Sequence, residues 1–238
     1  MQSDDPNFRP VAVSVAPDGS IYFLDWQKPL IGHMQHHIRD PHRDKAHGRI
    51  YRITYEGRPL LKPAKIDGQP VAALLELLKE PEDNTRTRAK IELGKHESAE
   101  VINALKKWAA NLDPKDANYD HNLTEALWVQ QWHNVVNEEL LKRVLRSPDF
   151  HARTAATRVL CYWRDRVPDA LALLEVQVKD ESPRVRLEAV RACSFFKTGE
   201  AAKVALQALD KEANPNKPDY YIKYCLDETM KALDKYSK

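Results

Sequence analysis

The chain has 238 residues, of which 42% are apolar and 30% charged, with a mean hydropathy of −0.62, so it reads as a folded chain with well-solvated faces rather than a disordered or membrane-embedded one. Its formal net charge is +2, split as seven Lys/Arg against six Asp/Glu up to Tyr55 and 30 against 29 beyond it. Neither part carries the basic excess that binding a nucleic-acid backbone needs, and no apolar run reaches the length of a membrane span.

Val11 to Val15 is apolar and β-branched, Pro17-Asp18-Gly19 has turn chemistry, and Ile21 to Trp26 resumes an apolar and aromatic run. The pair predicts a β-hairpin. A third strand is expected over Arg49 to Tyr55, where polar and apolar residues alternate before Glu56-Gly57. Three strands are too few to be stable unless something covers their apolar surface.

Between the second and third strands lies a loop of roughly 20 residues, longer than an ordinary connection. It holds five of the nine histidines, between His33 and His47. Three readings stand side by side. His33, His36, His42 and His47, with Asp40 and Asp44, supply nitrogen and oxygen donors for a divalent metal, although the spacing matches no tight zinc signature. His33, His36, Arg43 and His47 form the rim of an active site completed elsewhere. Alternatively Arg39-Asp40 and Arg43-Asp44 make local ion pairs and the histidines fasten the loop to its surroundings.

Gly57, Pro59, Pro63, Gly68 and Pro70 punctuate a linker over residues 57–70. From Val71 the apolar period is helical, as in Leu74, Leu75 and Leu78, and start signals are legible at Ser147-Pro148-Asp149, Ser182-Pro183 and Pro218-Asp219. Aligning RTRA at Arg86, RTAA at Arg153 and RLEA at Arg186 superimposes Ala89, Ala156 and Ala189. TEA adds Ala126, and Thr229 is a looser fifth member. The steps of 37, 30, 33 and 40 residues are the length of a helical-hairpin repeat. Five helix pairs are expected, near 71–79 with 84–94, 97–111 with 119–133, 137–146 with 150–164, 168–180 with 183–196, and 199–212 with 219–236. A small residue recurs because stacked helices approach closely there. Trp128, Trp132 and Trp163 are expected in the core between repeats. Cys161, Cys193 and Cys225 show no CxxC or CxxCH spacing and read as small core residues. Arg153 and Arg186 form either an exposed binding stripe or, with Asp149 and Asp180, pairs between rungs.

Two stretches together carry a family resemblance: "RPVAVSVAPDGSIYFLDWQKPLIGHMQHHIRDPHRDKAHGRIYRI", with its x-P-D-G-x-I-Y-x-x-D-W pattern, and "EGRPLLKPAKIDGQPVAALLELLKEPEDNTRTRAKIEL". They resemble the large membrane-bound dehydrogenase-like proteins of planctomycetes, in which a propeller similar to quinoprotein glucose/sorbosone dehydrogenases is followed by HEAT-like repeats and often by a cytochrome c domain. The resemblance implies a mostly α fold: an α-solenoid of about five HEAT-like helix pairs over 71–238, preceded over 1–56 by a small antiparallel β segment resembling a partial propeller blade. It implies a periplasmic or cell-envelope setting, and a pyrroloquinoline-type quinone and haem c only in a fuller relative. No catalytic residue is carried over and no cofactor is expected in this chain. The expected role is a scaffold whose partners are a propeller upstream or another protein on the solenoid face; the alternative is a free-standing HEAT-repeat interaction module.

Overall fold

A computed structural model of the chain describes residues 2–28, 41, 44, 46–212, 214 and 218–236. Contacts divide it into two compact units, residues 1–66 with 82–85, and residues 67–81 with 86–238.

The first unit is built on three antiparallel strands in the order β1-β2-β3: β1 (Pro10–Val15), β2 (Ile21–Asp25) and β3 (Arg49–Ile53). The hairpin closes where the Gly19 amide donates to the Ala16 carbonyl at 2.8 Å, with Gly19 at φ 79°, a conformation glycine adopts at no steric cost. Register pairs Val13 with Phe23 and Phe23 with Tyr51. Phe23 and Tyr51 stack at 4.7 Å, and Phe8 meets both edge-on. Asp25, also buried, accepts from the Arg9 and Gln27 amides and from Arg49. Part of the expected linker lies along the hairpin turn, where the Leu61 amide donates to the Asp18 carbonyl at 2.9 Å. Val11, Val13, Val15, Leu24 and Ile50 stay exposed, so apolar side chains remain uncovered on both sides of the sheet.

The second unit is helical. Its first members are α1 (Val71–Glu76), continued by a 3-10 turn over Leu77–Lys79, α2 (Asp83–Leu93, whose first turn falls in the other unit), α3 (Ser98–Ala110) and α4 (Tyr119–Trp132). They are followed by α5 (Glu138–Val144), α6 (Phe150–Trp163), α7 (Ala170–Gln177), α8 (Pro183–Cys193), α9 (Gly199–Leu206) and α10 (Tyr220–Leu233). The chain is thus mostly α, with a small sheet at its N-terminal end.

Local chemistry sets the starts. Asn137, Asp149, Thr198 and Asp219 each accept amide hydrogens of the first turn that would otherwise lack partners. Two of the expected signals differ in detail. Asp149, not Ser147, caps α6, while the Ser147 hydroxyl reaches back to Asp120 at 2.7 Å. Ser182 occupies the cap position of α8 without a side-chain cap bond, and Pro183 fills the first turn.

The second helices α4, α6, α8 and α10 pack side by side in chain order. Ala89, Ala126, Ala156 and Ala189 are fully buried, and Thr229 nearly so, its hydroxyl donating to the Val190 carbonyl at 3.2 Å. An array in which each repeat touches its neighbours follows directly from those small residues.

Candidate protein-interaction face

The arginine three residues before the buried alanine does the same work in three repeats. Arg153 Nη1 donates to the carbonyls of Ser147 and Pro148, while its Nε and Nη2 take both oxygens of Asp180 in the next repeat, at 2.7 and 2.9 Å. Arg186 Nη1 donates to the carbonyls of Asp180 and Glu181, and its Nη2 reaches Glu212 at 2.6 Å. Arg86 donates to the Glu80 carbonyl and to Glu125. Arg153 and Arg186 are therefore buried clasps between repeats and not an exposed stripe. Asp180 pairs with Arg153 as its position suggested. Asp149 does not: it is spent on the His151 amide and ring at the start of α6.

One residue before the alanine, two repeats bury a glutamate. Glu125 accepts from Arg86 and Lys90, and the Lys90 ammonium sits 5.0 Å from the Trp128 ring centre. Glu188 accepts from Arg158 at 2.9 Å and from Arg191 at 2.5 Å.

Six residues after the alanine, three consecutive repeats carry an aromatic: Trp132, Tyr162 and Phe195, exposed by 56%, 62% and 43%. These exposures correct the expectation for Trp132, which is not core. Its indole lies where a side chain on Gly94 would be, 2.3 Å from the ideal Cβ, which explains glycine there. Trp128 is half-buried, and only Trp163 of the three tryptophans is fully enclosed. Phe195 is flanked by the guanidinium groups of Arg164 and Arg191 at 5.7 and 5.4 Å. The aromatic rung follows from the same alignment that reveals the alanines, read six positions further.

Two clefts, of about 520 and 500 Å³, open along these helices, the first touching α4, α6, α8 and α10 and the second α6, α8 and α10. The first is walled by Trp128, His151, Arg158, Arg184, Glu188 and Tyr221, the second by Arg158, Arg191, Tyr221, Tyr224 and Cys225. A third cleft, of about 830 Å³, is lined by residues of α3, α4 and α5, among them Leu105, Lys106, Leu123, Glu138, Glu139 and Arg143. His151 Nδ1 lies 3.0 Å from Asp149, and the neighbouring Thr154 hydroxyl donates to the Phe150 carbonyl.

The cysteines are free thiols, Cys161 and Cys193 buried and Cys225 half-buried. Burial pushes all three thiols up, Cys193 to about 12, which makes them inert at neutral pH.

Of the histidine-loop residues, His33, His36, His42 and Arg43 lie outside the described residues. His47 is exposed, its Nδ1 2.9 Å from Asp44. The Ala46 amide bond foremost, joined by the ring and amide of His47, holds the Asp44 carboxyl below its usual range against the opposing effect of burial. Among the described residues no three His, Cys, Asp or Glu are placed to share a metal ion, and no helix is long and apolar enough to cross a membrane.

Residues 137–216 match the HEAT repeats. That HEAT region contains α5 to α9, the rung alanines Ala156 and Ala189, and both complete arginine clasps. Residues 1–57 match a domain of unknown function, DUF7133, which spans the whole sheet. No curated protein matches the chain.

Proposed function

We propose that the chain is a non-catalytic scaffold that holds a protein partner on the face formed by α4, α6, α8 and α10. The observation that carries this is the exposed aromatic rung of Trp132, Tyr162 and Phe195 at one position of three successive repeats. Large apolar side chains in solvent cost hydration free energy, and aromatics with a polar tip or an arginine beside them are the anchors that protein interfaces favour. HEAT repeats suit such a role. A photo-crosslinking residue at Tyr162, in the native host, should capture a protein that the same residue at Val176, exposed on α7, does not. Equal capture at both sites, or none at Tyr162, removes the proposal.

A finer reading concerns the sheet. Its exposed Val11, Val13, Val15, Leu24 and Ile50 favour its being part of a larger β structure, and the resemblance of residues 9–53 supports a propeller of the quinoprotein sugar dehydrogenase type, in a periplasmic or cell-envelope setting. On this reading the quinone and haem belong to other parts of the assembly, and this chain alone oxidises no sugar or alcohol with added pyrroloquinoline quinone and an artificial acceptor. Turnover by the isolated chain that needs the quinone and is lost in His47→Ala would overturn it.

A further inference from the structure

We infer that the groove crossing α4, α6, α8 and α10 receives an extended acidic segment of the partner protein, an assignment that rests on the scaffold reading and specifies its ligand. The groove is walled by Trp128 from α4, by His151, Thr154 and Arg158 from α6, by Arg184 and Glu188 from α8, and by Tyr221 from α10. It therefore runs across the helices. Adjacent helices stand about 8–10 Å apart, so three steps measure about 25–30 Å, the length of about eight residues of extended chain.

The charges in this groove are unevenly committed. Glu188 is buried and already shared between Arg158 and Arg191, two cations for one carboxylate. Asp219 accepts the amides of Tyr221 and Ile222, so its charge serves the start of α10. Asp149, two residues before the lining His151, is held by the His151 amide and ring. Further along α10, Glu228 is paired with Lys231 and Asp227 with Lys223. The cations are freer. Arg184 is exposed with no carboxylate within ion-pair distance among the described residues. The Arg158 side chain, 60% exposed and part of the groove's lining, spends Nε and Nη2 on Glu188 and makes no bond through Nη1 among the described residues. An incoming carboxylate meets Arg184, which has no carboxylate partner among the described residues, and Arg158, whose Glu188 is shared with Arg191 of the adjoining cleft, with Trp128 and Tyr221 on the first and last helix to take apolar neighbours. A basic segment would find each carboxylate already occupied. The chain's balanced net charge argues against a polynucleotide, which needs many phosphate contacts.

The test is fluorescence anisotropy on the full chain with a labelled nine-residue peptide alternating glutamate with leucine and tyrosine, beside its lysine-for-glutamate counterpart and a single-stranded oligonucleotide. The acidic peptide should bind, weaken as salt rises, and lose about tenfold in affinity to Arg184→Glu, an exposed change that leaves the melting curve in place. Arg158→Gln should weaken binding too, and Tyr221→Ala should do so without altering the salt dependence. Lysine-peptide binding as tight as that of the acidic peptide, indifference to Arg184→Glu, oligonucleotide binding in preference to the peptide, or no binding at all each overturn the assignment. In any of those cases, partner capture at Tyr162 would still stand as evidence for the scaffold, so the two failures are distinguishable.

Discussion

Arg153 and Asp180 face each other across the boundary between two repeats, joined by two parallel hydrogen bonds of 2.7 and 2.9 Å, with each side chain only 10% exposed. The fork geometry of the guanidinium makes the pair possible, and its third nitrogen is occupied by the loop carbonyls of its own repeat.

Removing one partner leaves the other desolvated. Arg153→Ala is expected to cost about 3 kcal/mol in urea unfolding, near the lower end for breaking a buried pair. Arg153→Lys should recover little of this, since an ammonium cannot serve two carboxylate oxygens and two carbonyls at once. In a double-mutant cycle with Asp180→Ala, a coupling of about 1–3 kcal/mol is expected, and a coupling near zero would show the clasp to be incidental.

Ala156→Arg and Ala189→Arg should each destabilise the helical unit by about 3 kcal/mol or more, because a long charged side chain is forced into a packed rung with no space and no partner. Tyr162→Arg, six positions on but exposed, should shift stability by less than about 0.5 kcal/mol. Thermal melts of the three variants side by side check the register, which is wrong if all three coincide with the parent.

How far the sequence carries the reader differs between these positions. Buried alanines at repeat spacing are legible because close helix approach permits little else. The arginine partners are legible only in part: residue spacing leaves both Asp149 and Asp180 near enough to pair, and it takes the helix starts to spend Asp149 on a cap and Asp180 on a clasp. Trp132 misleads for a physical reason. Four residues from Trp128 it looks like a core stripe, yet it is the last residue of α4, and burial there depends on how far the neighbouring helix extends rather than on its own period. The three strands follow from alternation and turn chemistry, whereas the readings of His33, His36, His42 and Arg43 fall outside the described residues.

The sheet should weaken in acid. Burial pushes the Asp25 carboxyl up, but the amides of Gln27 and Arg9 and the Arg49 guanidinium outweigh it and hold it below the usual carboxylate range. A carboxyl depressed in the folded state adds stability that is complete above its unfolded value of about 4 and is lost as pH falls through the lower folded value. Amide exchange of β2 should therefore quicken as pH drops below about 4, after correction for intrinsic rates. Asp25→Asn should lower protection at neutral pH, and its difference from the parent should shrink in acid.

The thiols give a reading of opening motions. At pH 8 the folded chain should react slowly with an aromatic disulfide reagent, and all three thiols should react at once in denaturant, with Cys193 the slowest in the native state. A rapid native-state phase at Cys193 would mean that α8 is far less well packed than described.

The clasps also have a direction. Arg153 reaches forward to Asp180, 27 residues on, and Arg186 forward to Glu212, 26 residues on. The repeat containing Asp180 and Arg186 thus both receives and gives, which makes it complementary to itself. A tandem duplication of residues 166–198 would set the first copy's arginine against the second copy's aspartate at the native separation, lengthening the array by one unit without a new kind of contact. The solenoid carries within one repeat a splice rule for its own extension.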